Sequence, residues 1–184
     1  MSNPATALVV INVQDSFRQR PDWSRLSNPD IVDDVAALVA HVRASGGLVV
    51  WVLHARPGGG AFDPASGHVR LLDGLVPEPQ EPVLTKTSRN AFTTTELGRL
   101  LTAAGVRRVQ VAGIQTEQCC ESTARLAADL GYDVTFVTEA TATFPLRRPD
   151  TGETLETDAI VARTEAALAG RFATIATLEQ VLAS

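Results

Sequence analysis

Cysteine is almost missing from this chain: the two present, Cys119 and Cys120, stand side by side. Adjacent cysteines cannot staple distant segments, so a disulfide framework is excluded and a reducing, cytoplasmic setting is the default expectation. Long apolar runs are missing too. No segment is apolar over enough length to span a bilayer, and the N-terminus lacks the basic region, apolar stretch and cleavage site of a secretory leader, so neither membrane insertion nor export is expected. There is no extended basic run, and the formal net charge is -5, which leaves no electrostatic footprint for nucleic acid. Arg18, Arg20 and Arg25 form only a loose group of the kind that decorates a solvated loop. His41, His54 and His68 share no metal-ligand spacing, and no His-Glu-x-x-His occurs, so neither a metal nor another cofactor is expected. Gly58-Gly59-Gly60 lacks the spacing and the Lys-Ser/Thr ending that cradle a phosphate, which leaves it a flexible loop.

What is present is ordinary globular composition, 45% apolar and 20% charged over 184 residues, enough for one well-buried domain spanning 1–184 and too little for two. Residues 7–13 predict a buried strand, 31–42 a helix closed by Gly46-Gly47, and 48–53 the next strand. That order, with short turns, is the signature of a parallel α/β sheet. Residues 55–82, rich in Gly and Pro, predict a long irregular insertion suited to a lid or an oligomer contact. A strand at 83–86, a helix at 93–104 capped by Thr93 or Thr94, a strand at 108–112 and a helix beyond Cys119 follow. A strand at 133–138, a second irregular stretch at 141–152, a helix at 157–169, a strand at 172–175 and a closing helix at 178–182 complete the chain. The expected architecture is therefore a six-stranded, mostly parallel, doubly wound sheet with helices on both faces. In such sheets ligands bind beyond the carboxyl ends of the strands, which predicts that Asn12 to Asp15, His54, Lys86, Gly113 to Cys119 and Glu139 to Thr141 converge.

Gly113-Ile114-Gln115-Thr116-Glu117-Gln118-Cys119-Cys120 is the junction of most interest, because a β-branched run stops there and a helical pattern begins. Thr116 is the N-cap candidate, which places Cys119 in the first turn, where free N–H groups and the helix dipole favour a thiolate and can hold an oxyanion. A cysteine on an apolar helix face is usually a small hydrophobe, and that account suits Cys120. For Cys119 the two accounts balance until a partner is found. Lys86, alone at a strand end, would be a solvent-facing charge, but next to a thiol it becomes functional, since a cation favours the thiolate. His54, in the same layer, could bind substrate, although a lone histidine is more often a hydrogen-bonded structural residue.

Three separated blocks carry a family resemblance: Ala-Leu-Val-Val-Ile-Asn-Val-Gln-Asp-Ser-Phe at 7–17, Lys86 with Phe92 and Thr95-Glu96-Leu97, and Gly113 to Cys119 with Thr123 and Ala124. Through them nearly the whole chain resembles the isochorismatase-like cysteine hydrolases, the superfamily that includes nicotinamidases and N-carbamoylsarcosine amidohydrolase. The resemblance implies a three-layer α/β/α fold with strand order 321456 and a Cys-Lys-Asp catalytic group, with Cys119 as nucleophile and Lys86 as the lysine. It also implies a cis peptide between Ile114 and Gln115, oxyanion donors at the Gln115 and Cys119 amides, and a homo-oligomer, dimer or tetramer. One position departs: where the family reads Ile-Asp-x-Gln, this chain has Ile11-Asn12-Val13-Gln14, and an amide cannot take the thiol proton. Asp15 is three residues too far along a strand end to replace it. The implied activity is cleavage of a C–N amide or ureido bond in a small molecule through a Cys119 thioester, weakened by Asn12. The alternatives are a non-catalytic small-molecule binding protein on the same fold and a vinyl ether hydrolase of the isochorismate type. Phe17, Trp23, His54 and Phe144 are the candidate substrate contacts.

Overall fold

A computed structural model describes residues 6–184; positions 1–5 of the expected 1–184 span lie outside the described residues. Six parallel strands form the central sheet: β1 (Thr6–Ile11), β2 (Leu48–His54), β3 (Val83–Lys86), β4 (Arg108–Ile114), β5 (Asp133–Ala142) and β8 (Thr174–Ala176). Their spatial order is β3-β2-β1-β4-β5-β8, the doubly wound arrangement expected. β1 explains why such a strand is apolar at every position. Leu8 and Val10 enter one core while Ala7, Val9 and Ile11 enter the other, because helices cover both faces. α1 (Ile31–Ala44) and α5 (Leu178–Leu182) pack on the first face. The second is covered by α2 (Leu97–Ala103), α3 (Glu121–Asp129) and the end of α4 (Thr157–Leu168).

The strand order reverses at β1. Ile11 pairs with Val52 of β2 on one side and Gly113 of β4 on the other, so the residues beyond these three strand ends share one crevice. Gly113 allows this pairing to be tight. It has φ +129, and a Cβ there would sit 1.9 Å from the carbonyl oxygen of Ile11, a space no side chain can share.

Three local expectations are corrected. The helix expected from Thr93 begins at Leu97, because the preceding hydroxyls and amide are used elsewhere. The Thr94 hydroxyl accepts the N–H groups of Thr87 and Ser88, and the Asn90 side chain accepts those of Phe92 and Thr93, which holds the chain in turns. β5 runs to Ala142, past its expected end at Thr138, since the pairing with β4 shifts register between Val111 and Gly113 and sets Thr141 opposite Gly113. The stretch expected to be irregular from Thr141 also contributes a strand to a small antiparallel ribbon, β6 (Leu146–Arg147) with β7 (Thr154–Leu155).

The insertion at 55–82 is irregular apart from one turn, Pro64–Ser66, and it is fastened at both ends of its path. Leu72 N–H donates to Val13 O at 3.0 Å and Asp15 N–H to Arg70 O at 2.9 Å, which lays the segment against the end of β1. Near its far end buried Glu81 accepts from Arg43 Nε at 2.7 Å, Trp51 Nε1 at 2.7 Å and the Glu78 N–H at 2.9 Å.

Candidate active site

β2 and β3 end side by side, His54 opposite Lys86, and Ala55 N–H donates to Lys86 O at 2.9 Å, which holds the two strand ends level. Lys86 is fully buried, and its Nζ has three neighbours: Ser88 O at 2.9 Å, His54 Nδ1 at 3.3 Å and Cys119 Sγ at 3.4 Å. Burial lowers its pKa below the ordinary 10.5, and Arg89 adds to that, while the contact with Cys119 opposes it. His54 is held by an amide clamp. Its N–H donates to Gln14 Oε1 at 2.7 Å and its carbonyl accepts from Gln14 Nε2 at 3.0 Å. Burial, then the charges of Lys86, Arg89 and Arg56, lower the His54 pKa to about 4, so the ring is neutral near pH 7. A neutral ring protonated on Nε2 presents Nδ1 to Lys86 as an acceptor.

Cys119 lies on a π-helical turn, Thr116–Cys120, that leads into α3. Gln115 is its N-cap, not Thr116: the Thr116 hydroxyl donates to Thr141 Oγ1 at 2.9 Å, and Thr141 Oγ1 donates to Thr138 O at 2.8 Å. The register shift of β5 makes that pairing possible. The Gln115 carbonyl accepts the N–H groups of Gln118 and Cys120, both at 3.2 Å, and passes over the N–H of Cys119 between them. The Ile114–Gln115 peptide is cis. The two thiols part company here: Cys119 faces Lys86, while Cys120 is enclosed in the core, where burial raises its pKa well above the ordinary thiol value.

Asn12 stands one residue past β1, with its N–H on Val52 O at 2.7 Å and a φ of +52, a conformation asparagine tolerates better than most residues. It is 1% exposed, yet neither its Oδ1 nor its Nδ2 has a hydrogen-bond partner among the described residues. Asp15, the nearest carboxylate along the chain, is committed to His68 Nδ1 at 2.7 Å and Arg70 at 3.5 Å. Among the described residues no three His, Cys, Asp or Glu side chains are grouped to hold a metal ion.

The four aromatic candidates form one wall. Trp23 packs on Phe144 at 6.3 Å, Phe144 stacks on Phe17 at 6.0 Å, Phe17 meets Phe62 edge-on at 5.0 Å, and Phe62 meets His54 at 5.8 Å between ring centroids. Arg20 lies over the Phe144 face, 4.3 Å from its centroid. Phe62 links the wall to the polar cluster and was not anticipated, nor was the clamp made by Gln14. Their signals were faint: Phe62 is the one phenylalanine, tyrosine or tryptophan in the Gly/Pro-rich insertion, and Gln14 belongs to the first resemblance block. Lys86 is the only lysine in the chain, which by itself sets it apart from the 15 arginines that carry the remaining basic charge. Glu139 does not join the site; its carboxylate accepts the Leu178 N–H at 2.8 Å and its carbonyl accepts from Asn28, on the side of α5.

These features define a doubly wound α/β protein with a thiol and a buried lysine in contact at the switch point of its sheet. The isochorismatase domain model matches residues 6–179, and the chain belongs to the isochorismatase family. It is 34% identical over 154 residues to a streptothricin hydrolase of Streptomyces noursei, covering 81% of this chain and 54% of that protein, so it spans about half the length of that relative. The ureidoacrylate amidohydrolase RutB of Enterobacter sp. is 27% identical over 171 residues, with 74% of each chain covered. The crystal structure of an isochorismatase from Pseudomonas putida superposes with a TM-score of 0.87 at 30% identity, covering 96% of this chain and 89% of that one. No helix among the described residues is long and apolar enough to cross a membrane.

Proposed function

We propose that this protein is a thiol hydrolase that cleaves a C–N amide or ureido bond in a small molecule, with Cys119 as nucleophile. The observation that carries this is the contact of 3.4 Å between Cys119 Sγ and the Nζ of a lysine with no exposed surface. A buried amine is costly to maintain, and one placed against a thiol is set to stabilise the negative charge of the attacking sulfur. The Gln115 and Cys119 amides hold the tetrahedral oxyanion, the thioester forms as the amine leaves, and water releases it. The aromatic wall of Phe17, Trp23, His54 and Phe144, completed by Phe62, bounds the substrate. Relatedness to proteins named as hydrolases, one of them an amidohydrolase, supports the bond type.

A second reading, a binding protein that has lost the chemistry, is favoured by Asn12, whose unpartnered amide would pair with a bound ligand. Iodoacetamide labelling with mass mapping separates the two: the hydrolase requires modification of Cys119 well faster than a free cysteine, and binding alone does not. The Asn12→Asp variant supplies a carboxylate where the amide stands. Turnover of an amide panel should rise about 100-fold or more, as expected for a positioned proton acceptor, and an unchanged rate would remove position 12 from the mechanism.

A further inference from the structure

Resting on the amide hydrolase reading, we infer the class of its substrate: a small amide or ureido compound that also carries a carboxylate, received by Arg56 and Arg89 at the rim of the crevice.

The two arginines leave adjacent strand ends. β2 and β3 finish side by side with His54 opposite Lys86, and Arg56 comes two residues after His54 while Arg89 comes three after Lys86. Both backbones are braced against the site. Arg56 N–H donates to Phe62 O at 2.8 Å, which closes the loop that carries Phe62 to the His54 ring. Arg89 follows the Ser88 whose carbonyl accepts from Lys86 Nζ, and Thr94 Oγ1 fixes that turn by accepting the N–H groups of Thr87 and Ser88.

No group of the protein has claimed their charge. Among the described residues neither guanidinium lies within ion-pair distance of a carboxylate. The other cations of this region are committed: Arg20 places two nitrogens on the Asp22 carboxylate, each at 2.8 Å, and Arg70 pairs with Asp15 and Asp73. Lys86 cannot receive an acid either, since an ammonium has three N–H groups and Ser88 O, His54 Nδ1 and Cys119 Sγ already face them. Nearby carboxylates are spent in the same way. Asp63, on the loop after Arg56, accepts the N–H groups of Gly58, Gly59 and Ala65 at 2.9, 2.7 and 2.8 Å, and Glu117 is engaged by Thr143 and Gln118.

An exposed arginine is ordinarily a solvated charge. Here the two converge on one ring, because the charges that act on His54 are those of Lys86, Arg89 and Arg56, with no carboxylate to offset them. This local excess runs against the sign of the whole chain, which is -5. A carboxylate answers it with the forked, charge-assisted hydrogen bonds that guanidinium groups form. Held at the rim, it leaves the amide end of a small molecule directed inward, toward Cys119.

Calorimetric titration of two matched pairs tests this: succinamate against butanamide, and 3-carbamoylbenzoate against 3-methylbenzamide, each on Cys119→Ala protein so that no amide is consumed. In at least one pair the acid should bind about 10-fold or more tightly than its neutral partner, and raising NaCl from about 0.05 M to about 0.5 M should erode that preference. Arg56→Gln and Arg89→Gln should each cut it about threefold or more and together abolish it. Arg108→Gln, at the start of β4 and so at the opposite end of the sheet, removes the same charge and should leave the preference unchanged. No preference for the acid in either pair, or one that survives the double substitution, would overturn the carboxylate assignment. Failure of Cys119 in the native protein to react with iodoacetamide would instead remove the nucleophile, and the titrations would still report on Arg56 and Arg89.

Discussion

At the scale of single residues, the site is a set of ionisable groups whose charges are set by burial more than by pairing. His54 shows this most directly, because its pKa falls from 6.5 to about 4 when the protein folds. Between those values the unfolded chain binds a proton that the folded chain refuses, so stability rises with pH across that window and is lost as pH falls through it. At 1.36 kcal/mol for each pH unit of difference, the effect approaches about 3 kcal/mol at the acid end. Denaturant midpoints measured from pH 7 to pH 4 should therefore fall, and His54→Gln should flatten that fall; an equal slope in both proteins would exclude His54 as its source. Asn12 stood out in the sequence, since the resemblance implies a carboxylate at that position. Its consequence did not. That both amide atoms lack partners, and that Lys86 faces only a carbonyl, an imidazole and a thiol, depends on contacts between residues distant along the chain.

At the scale of elements, β4 and the π-helical turn after it form the device that presents Cys119. Gly113 is its hinge: with φ +129 and the Ile11 carbonyl 1.9 Å from any added Cβ, it lets β1 and β4 close together just before the turn. Gly113→Ala should destabilise the protein by about 3 kcal/mol or more, combining overpacking with a strained backbone. Thermal unfolding would show it as a large drop in Tm, and an unchanged Tm would mean that the strands can separate without cost. Apolar periodicity located this strand and α1 well, because both bury regular faces. It overran at α2, where side-chain hydroxyls and an amide compete for backbone N–H groups, and it stopped short at β5, where a register shift carries pairing past the expected end. Both misses arise from hydrogen bonds that hydrophobic spacing does not encode.

Over the whole molecule, the irregular insertion behaves as a fastened wall. Its anchor is Glu81, where burial alone would raise the carboxyl pKa but the donors Arg43, Trp51 and the Glu78 N–H more than offset it, for a net lowering below 4.5. Its contribution is present above 4.5 and lost as pH falls through the lower folded value. Glu81→Gln should cost about 2 kcal/mol at pH 7 and show a shallower acid limb in urea unfolding; an acid limb as steep as the native one would place the sensitivity elsewhere. Composition and alternation were enough to define an α/β sheet covered on both faces, because a strand buried on two sides must be apolar throughout and a helix on one face must be periodic. Even the strand ends that carry His54 and Lys86, and the start of the turn that carries Cys119, followed from where those runs stop. Which side chains meet is a different kind of quantity. The contact of Lys86 with Cys119, the clamp of Gln14 on His54, the place of Phe62 in the aromatic wall and the absence of Glu139 from the site were set by strand register and by the path of the insertion. Those depend on interactions summed over the assembled core, and no local run of residues contains that sum.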